Sequence, residues 1–235
     1  MKLKKHIPIE GFVTTLTGLK IGGTVETAGI GETDNPIIRH PVTGFPYIPG
    51  SSLKGKIRSL LELNKDCCKD TTQKTGEPCW CTECTICKLF GSNIAHRQVN
   101  RSNIEPTRLI FRDSVLTDES WNELNEALPG AFVEVKSEIA IDRKTGTTSG
   151  GLRQFERVPE GYQFEFSVIL RVFEEDLSSP NGREFLSYLA DGIEMLEKDC
   201  LGGCGTRGYG QVKFTVSEDV ESESLSEHIR KIELS

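Results

Sequence analysis

The sequence predicts an α+β fold in which one layer of strands carries its helices on a single face. Two observations predict this class. Apolar residues recur at helical spacing in residues 51–64 and again in residues 183–199. Extended segments rich in Val, Ile, Thr and Phe precede, separate and follow these two helices. The order strand, helix, strands, helix, strand is ferredoxin-like, so we expect a ferredoxin-like sheet with both helices packed on it.

Local pattern justifies each element in turn. We expect strands at residues 8–19, 107–115, 131–143, 161–173 and 210–216. In the first helix Leu53, Ile57 and Leu60 share one face, which is the face expected to pack on the sheet. Ser51 or Ser52 directly precedes this pattern and is a suitable N-cap.

Composition limits the class of protein. With 235 residues and 36% hydrophobic residues, the chain can bury a real core as one large or two small domains. No apolar run is long enough for a transmembrane helix, and the N-terminus "MKLKKHIPIEGF" lacks the apolar centre of a secretory signal. We therefore expect a cytoplasmic protein with no membrane partner. In that reducing compartment the eight cysteines indicate metal binding or burial rather than disulfides.

The net charge of -7 by itself argues against nucleic acid as a partner. Its distribution weakens the argument, because acidic residues concentrate in residues 171–199 and 216–235. The first two thirds of the chain contain local basic clusters, one of them around Lys54 and Arg58. A polyanion can therefore bind one face while the acidic remainder stays solvated.

The segment "PCWCTECTICKLFG" predicts a metal site. It contains four thiols within nine residues, Cys79, Cys81, Cys84 and Cys87. Two C-x₂-C spacings suit thiolates that surround one tetrahedral zinc ion. Cys67 or His96 is an alternative ligand, because the first two thiols of the motif are close together for one site. An iron–sulfur site and a reactive dithiol are competing interpretations, and we favour structural Zn²⁺.

Two glycine-containing motifs suggest nucleotide binding, but their context excludes it. "GSSLKGK" matches the core of a P-loop, yet Ile57 stands where Ser or Thr must hold magnesium. "GGCGTRGYG", residues 202–210, contains G-x-G-x-x-G but follows a helix and opens a strand, the reverse of a dinucleotide fingerprint. Its five glycines allow a second backbone to approach and let N–H groups face an anion. Arg207 adds a charge and Tyr209 a stacking face, so a binding role is favoured over a simple tight connection.

The stretch "GETDNPIIRHP", residues 31–41, has no helical or strand period and places Asp34 on a loop. Taken alone, this aspartate is best explained as an Asx-turn before proline. The wider sequence changes that interpretation. Six segments, in order over residues 18–215, resemble the repeated backbone subunit of Csm-type, type III-A CRISPR effector complexes, within the RAMP superfamily. They are "GLKIGG", "DNPIIRHPVTGFPYIPGSSLKGKIRSLLE", "CKLFG", "RLIFRD", "EVKSEIAIDR" and "LGGCGTRGYGQV".

The resemblance implies one RAMP domain over residues 1–235, with an RRM-like palm and a β-hairpin thumb. Its parts would be a catalytic loop at 20–50 and the thumb at 138–157. The cysteine spacing, and not the resemblance, predicts the cysteine-rich and helical zinc-knuckle insertion at 65–105, and composition predicts an acidic tail at 217–235. Copies of such a subunit polymerise along guide RNA, and each copy grips about six nucleotides. The implied partners are guide RNA, target RNA, further copies of the chain and other subunits of the complex.

The resemblance also implies residue roles. Asp34 matches the catalytic aspartate that cleaves target RNA with Mg²⁺ or Mn²⁺. RNA itself supplies the 2′-hydroxyl nucleophile, so one carboxylate and an in-line geometry suffice. The implied RNA contacts are Lys20, Ser52, Lys54, Arg58, Ile141, Arg143, Arg153, Arg157, Gly203, Gly205, Arg207 and Tyr209. Two alternatives remain: a catalytically silent guide-RNA scaffold, and a guide-RNA-processing ribonuclease of the same superfamily.

Overall fold

The structure is a computed structural model that describes residues 1–23, 35–65, 76–92, 101–177 and 181–234. The strands of this part are β1 (Leu3–Thr15), β2 (Leu109–Phe111), β3 (Glu134–Glu138), β4 (Arg153–Arg157), β5 (Gln163–Phe173) and β6 (Val212–Thr215). The helices are α1 (Gly50–Lys65), α2 (Thr85–Phe90), α3 (Asp118–Ala127), α4 (Glu174–Leu177), α5 (Asn181–Lys198) and α6 (Leu225–Lys231). None of these helices combines the length and apolar character that a membrane span requires.

The main sheet has four strands in the order β2-β5-β1-β6, and every neighbouring pair is antiparallel. The two central strands, β1 and β5, pair over most of their length, with Ile9 opposite Val168 and Val13 opposite Phe164. Helix α1 links β1 to β2, and α5 links β5 to β6. The predicted α+β class and its strand–helix order are confirmed.

Alternation along the strands decides which face carries the helices. In β5 Phe164, Phe166, Val168 and Leu170 are buried, whereas Glu165 between them is exposed, as a period of two requires. These side chains join α1 and α5 in one continuous apolar core. The helices therefore cover one face of the sheet and leave the other for polar residues.

The two long helices pack closely because a glycine lies between them. A Cβ at Gly192 of α5 would lie 2.5 Å from Cγ2 of Ile57 and 3.1 Å from Cδ1 of Leu61 in α1. Ile57 and Leu61 are fully buried, as the apolar stripe predicted. This contact holds α1 close against α5. The glycine-rich turn follows α5 directly in the chain.

Several element boundaries differ from the sequence expectation. The strand expected at 131–143 is shorter, because beyond β3 only the bridge between Ile141 and Thr148 continues the hairpin. At its end the Asp142 carboxylate accepts the backbone N–H groups of Lys144 and Thr145, at 2.8 and 2.9 Å, which closes the tip as a turn. The strand expected at 107–115 is also shorter, since β2 covers only Leu109–Phe111.

Helix α3 was not predicted from the sequence, and neither was most of α6. Thr117 caps α3 by accepting the backbone N–H of Ser120 at 3.3 Å. In α6 Leu225 and Ile229 are fully buried, so residues 217–235 are not simply an acidic tail. The sequence near Ile229 has a short helical pattern, which is the signal of this helix, and Arg230 joins it to α5 by ion pairs.

Candidate nucleic-acid interface and metal centre

Basic side chains gather where the β3–β4 hairpin meets the glycine-rich turn. We call this set the cationic cluster; it consists of Lys20, Lys136, Arg157 and Arg207 over the rings of Phe155 and Tyr209. Lys20 Nζ lies 4.2 Å and Arg207 Cζ 5.1 Å from the Phe155 ring centroid. The two other cations lie on Tyr209 at 4.7 and 5.0 Å. Aromatic faces attract cations, so these rings hold four positive charges near one another.

The hairpin builds its half of the cluster through strict alternation. Lys136 of β3 pairs with Phe155 of β4, and Glu134 pairs with Arg157, so these side chains share one face. Val135, on the opposite face, is 50% exposed. Lys136 was not among the residues predicted from the sequence, although the alternation in "EVKSE" is a signal for it.

The glycine-rich turn supplies the other half because its backbone lies directly on the chain after β1. The N–H of Gly203 donates to the Lys20 carbonyl at 2.8 Å, and the N–H of Gly210 donates to the Gly18 carbonyl at 3.0 Å. A Cβ at Gly202 would lie 2.2 Å from the Lys20 carbonyl oxygen. The glycines therefore permit the close backbone approach that the sequence suggested, and they bring Arg207 beside Lys20.

Two carboxylates partly neutralise the cluster. Glu134 pairs with Arg157, and Glu138 pairs with Arg207 while also accepting the Tyr209 hydroxyl at 2.9 Å. Burial alone would raise the pKa of Glu138, but the Tyr209 hydrogen bond and the Arg207 charge hold it below its usual value. Four cations against two carboxylates leave an excess of two positive charges.

Tyr209 does not offer the stacking face that the sequence suggested. Its side chain is 1% exposed, because Lys136 and Arg157 cover the ring. Burial, together with the hydrogen bond to Glu138, raises the pKa of the Tyr209 hydroxyl to about 12. In this arrangement Tyr209 is a platform that positions cations, and a direct contact between it and RNA stays a prediction.

The first helix gives its predicted contact residues unequal surroundings. Lys54 is half-buried, and burial followed by the nearby charges of Arg58 and Arg171 lowers its pKa. Ser52 is also half-buried. Lys56, also half-buried, pairs with Asp199 at 3.2 Å and so joins α1 to the chain just before the glycine-rich turn.

Arg58 is engaged with the cysteine segment. Its Nε donates to Glu62 Oε1 at 2.8 Å, and its guanidinium NH2 donates to the Cys79 carbonyl at 2.8 Å. The backbone N–H of Cys79 in turn donates to the same Glu62 oxygen at 3.0 Å. Arg58 therefore braces the cysteine segment against α1, and its contact with RNA stays a prediction.

The remaining hairpin residues lie away from the cluster, toward the tip. Ile141 is 65% exposed, and Arg143 and Arg153 are exposed as well. Arg153 stands opposite Glu138 in the register of the hairpin. The hairpin thus presents an exposed apolar side chain near its tip together with exposed basic side chains, and their contacts with RNA stay a prediction.

Asp34, the predicted catalytic residue, lies outside the described residues. The described chain resumes at Asn35, whose carbonyl accepts the backbone N–H of Glu156 in β4 at 3.3 Å. The Glu156 carboxylate accepts the N–H of Ile37 at 3.2 Å and pairs with Arg39 at 3.3 Å. The chain that follows the predicted catalytic residue is thus bonded to the strand that carries Phe155 of the cluster. Sequence reasoning missed Glu156.

The four thiols of the cysteine segment converge, and all their sulfur atoms lie within 4.8 Å of one another. Cys79 and Cys84 are 3.9 Å apart, and so are Cys81 and Cys87. Four sulfurs placed tetrahedrally at zinc–sulfur bond length are about 3.8 Å apart, so the set fits Zn²⁺. The backbone N–H groups of Cys84 and Cys87 donate to the sulfurs of the motif. The alternative ligands Cys67 and His96 lie outside the described residues.

The chain is similar in sequence to a known protein family and to individual proteins. The sequence profile described as the RAMP superfamily matches residues 12–213. A protein of Methanocaldococcus jannaschii named "CRISPR system Cms endoribonuclease Csm3" is 42% identical, with 91% of this chain and 80% of that protein covered. A protein of Streptococcus thermophilus with the same name is 38% identical, with 84% and 82% covered.

Solved structures are similar as well. A crystal structure of a Csm3–Csm4 subcomplex of the type III-A CRISPR-Cas interference complex matches with a TM-score of 0.55 and 32% identity, covering 92% of this chain and 78% of that chain. A cryo-EM structure of a type III-B Cmr-beta complex in the apo state matches with a TM-score of 0.59 at 17% identity, covering 91% and 98%. The latter likeness concerns the fold alone.

Proposed function

Because the chain belongs to the RAMP superfamily, we propose that it is a backbone subunit of a type III CRISPR effector complex that binds guide RNA and cleaves complementary target RNA. Its relatives named Csm3 are endoribonucleases by name, and one is solved in a subcomplex with Csm4. Further copies of the chain and other subunits are the protein partners. Each copy would grip about six nucleotides of the guide.

The observation that carries the binding function is the cationic cluster. A chain with a net charge of -7 concentrates four cations at one junction and keeps them on aromatic platforms. Phosphates are alike along any RNA, so a backbone grip of this kind accepts every guide sequence. A subunit that repeats along a variable guide requires this indifference to sequence.

For cleavage we propose Asp34 as the catalytic carboxylate, on the strength of the motif "DNP" and of the relatives' activity. Mg²⁺ or Mn²⁺, when bound, would neutralise charge at the reacting phosphate. The chain's own contribution is to fix the backbone next to Asp34. The bonds from Asn35, Ile37 and Arg39 to Glu156 and its strand supply that anchorage. The thiols of the cysteine segment would hold a structural Zn²⁺.

The two alternatives are less well supported. A silent scaffold does not fit relatives that are named endoribonucleases. A guide-processing enzyme would use an acid–base group near the glycine-rich turn, and Tyr209 is the candidate that the sequence offers there. A hydroxyl with its pKa raised to about 12, which donates to a fixed carboxylate, is poorly suited to proton transfer near neutral pH.

Guide binding by Lys136→Ala tests the role of the cluster. We expect weaker binding and a shallower dependence of log Kd on log salt, by roughly 0.7, because one phosphate contact is lost from a single strand. Lys4→Ala is the matched control, since Lys4 lies near the opposite end of β1 from the cluster and pairs with Glu174. Equal effects of the two substitutions, or no effect of either, would contradict an RNA grip at this junction.

A further inference from the structure

We propose that the Glu138 carboxylate occupies a phosphate position on Arg207, so that guide RNA must displace it in order to bind. The inference rests on the guide-binding function proposed above and adds a competing anion inside the same site. Glu138 would thus be a positioning residue that sets how strongly an incoming strand must bind. Neither Glu138 nor Lys136 was among the RNA-contact residues expected from the sequence.

The donors that meet at Glu138 are those that a phosphate would use. One carboxylate oxygen accepts a guanidinium N–H of Arg207, and the other accepts the Tyr209 hydroxyl at 2.9 Å. Guanidinium and hydroxyl groups bind the non-bridging oxygens of a phosphate in the same way. A planar carboxylate on the hairpin therefore satisfies a pair of donors on the glycine-rich turn that also fits the RNA backbone.

The pair is accessible, which permits exchange. The Arg207 side chain is 46% exposed and that of Glu138 is 21% exposed. By contrast, the ion pair between Arg108 and Asp176 is 2% and 4% exposed and belongs to the core. An accessible pair contributes little free energy and is readily replaced by an anion with more contacts.

The surroundings favour an incoming polyanion over the resident carboxylate. If Glu138 leaves, Glu134 on Arg157 is the one counter-charge that the described residues still place on the four cations of the cluster. A strand with successive phosphates can contact several of these cations together, whereas Glu138 reaches one guanidinium and one hydroxyl. The released carboxylate has a second partner at hand, because exposed Arg153 lies directly opposite it in the hairpin.

The consequence is selectivity for long polyanions. Small anions that touch Arg207 alone gain no more than Glu138 already provides, so they do not compete well. A guide strand gains the remaining cations and does compete. Displacement also removes the hydrogen bonds that Glu138 makes to the glycine-rich turn, while the contacts of Lys136 and Arg157 with the Tyr209 ring remain.

The test is guide RNA binding by Glu138→Gln in the full-length chain, with Kd measured over a range of salt concentrations. We expect binding tighter by about two- to fivefold, the range that an exposed ion pair is worth. The salt slope should change little, because Arg207 contacts a phosphate in both complexes and only the cost of displacing Glu138 differs. A purely structural brace predicts the opposite sign, since loss of the carboxylate would loosen Arg207 and Tyr209 and weaken binding.

Three further variants make the result specific. Glu160→Gln, on the exposed turn between β4 and β5, changes the net charge equally and should leave the affinity unchanged. The double variant with Glu138→Gln and Arg207→Ala should bind guide RNA no more tightly than Arg207→Ala alone, because the cation that Glu138 would release is absent. Glu138→Asp retains the charge but shortens its reach, so it should tighten binding less, and it replaces Glu138→Gln if thermal unfolding shows that the latter has lost its fold.

The outcomes separate this inference from the proposed function. If wild type binds guide RNA and Glu138→Gln binds equally or more weakly, the displacement idea is wrong and the guide-binding function stands. An equal gain from Glu160→Gln would also overturn it, since bulk charge would then explain the effect. If wild type does not bind guide RNA at all, both the function and the inference are overturned.

Discussion

Replacement of Arg58 by alanine decides whether this residue holds RNA or holds the cysteine segment. The structure favours the second role. The guanidinium lies 2.8 Å from Glu62 and 2.8 Å from the Cys79 carbonyl, and both distances are those of direct hydrogen bonds. We therefore expect Arg58→Ala to lower the free energy of unfolding and to weaken zinc binding, while the salt slope of guide binding stays unchanged.

The magnitude follows from burial and hydrogen bonding. The side chains of Arg58 and Glu62 are 14% and 17% exposed, so water replaces the lost bonds only in part. A hydrogen bond to a charged group is worth about 1.5–3 kcal/mol when its partner stays buried. Partial solvent access reduces the total, and we expect a loss of about 2 kcal/mol in the free energy of unfolding.

Urea unfolding of the zinc-loaded chain and competition with a colorimetric zinc chelator measure the two effects. Lys56→Ala is the matched control, because it removes a cation from the same helix whose partner Asp199 is 41% exposed. Loss of that exposed pair in Lys56→Ala should lower the free energy of unfolding by less than about 1 kcal/mol. If Arg58→Ala unfolds like wild type and loses guide affinity as Lys54→Ala does, then Arg58 contacts RNA and the bracing argument is wrong.

Three other predictions follow from contacts in the core and the turn. Asp176→Asn should cost about 3 kcal/mol in urea unfolding, because it removes the buried carboxylate that pairs with the buried Arg108 guanidinium; a loss below about 1 kcal/mol would refute this. Gly202→Ala should destabilise the chain by about 1–3 kcal/mol more than Gly208→Ala. Both positions have positive φ, but only the Cβ at 202 would clash, so equal losses would show that the backbone approach is not tight. Removal of zinc by a chelator should lower the melting temperature, and Cys84→Ser should abolish the zinc found by elemental analysis; full zinc occupancy in that variant would exclude Cys84 as a ligand.

The sequence predicted the architecture well because its signals are local. The apolar stripe of α1 and the alternation in β5 each depend on residues a few positions apart, and both elements form as expected. The four thiols of the cysteine segment converge for the same reason, since nine residues cannot separate them far. Element order then restricts the sheet to few arrangements.

The elements that prediction missed depend on distant partners. Helix α6 has few apolar residues, and it is stable because Leu225 and Ile229 are buried in the core formed by other elements. The expected strand at 131–143 ends early because the Asp142 turn bonds satisfy the tip instead of a ladder. The burial of α6 by other elements is not visible in a window of a dozen residues, whereas the Asp142 turn joins residues two and three positions apart and could have been predicted.

The candidate site shows the same limit. Alternation in "EVKSE" predicts that Lys136 and Glu138 share a face, but not that this face meets the glycine-rich turn. Tyr209 appeared to be an open stacking surface because a sequence does not reveal which cations will cover its ring. Glu156 was overlooked because its partners, Ile37 and Arg39, are more than a hundred residues away in the chain.

The central claim is that this subunit positions and cuts RNA along a guide, and one cleavage assay tests it most directly. Wild type and Asp34→Ala are each assembled with guide RNA and given labelled complementary RNA with Mg²⁺. We expect wild type to produce cuts at intervals of about six nucleotides, since each copy would present one Asp34 to its segment. Asp34→Ala should bind the target equally and produce no cuts. If the ladder persists in Asp34→Ala, or if both proteins bind and neither cuts, the proposed catalytic role is contradicted.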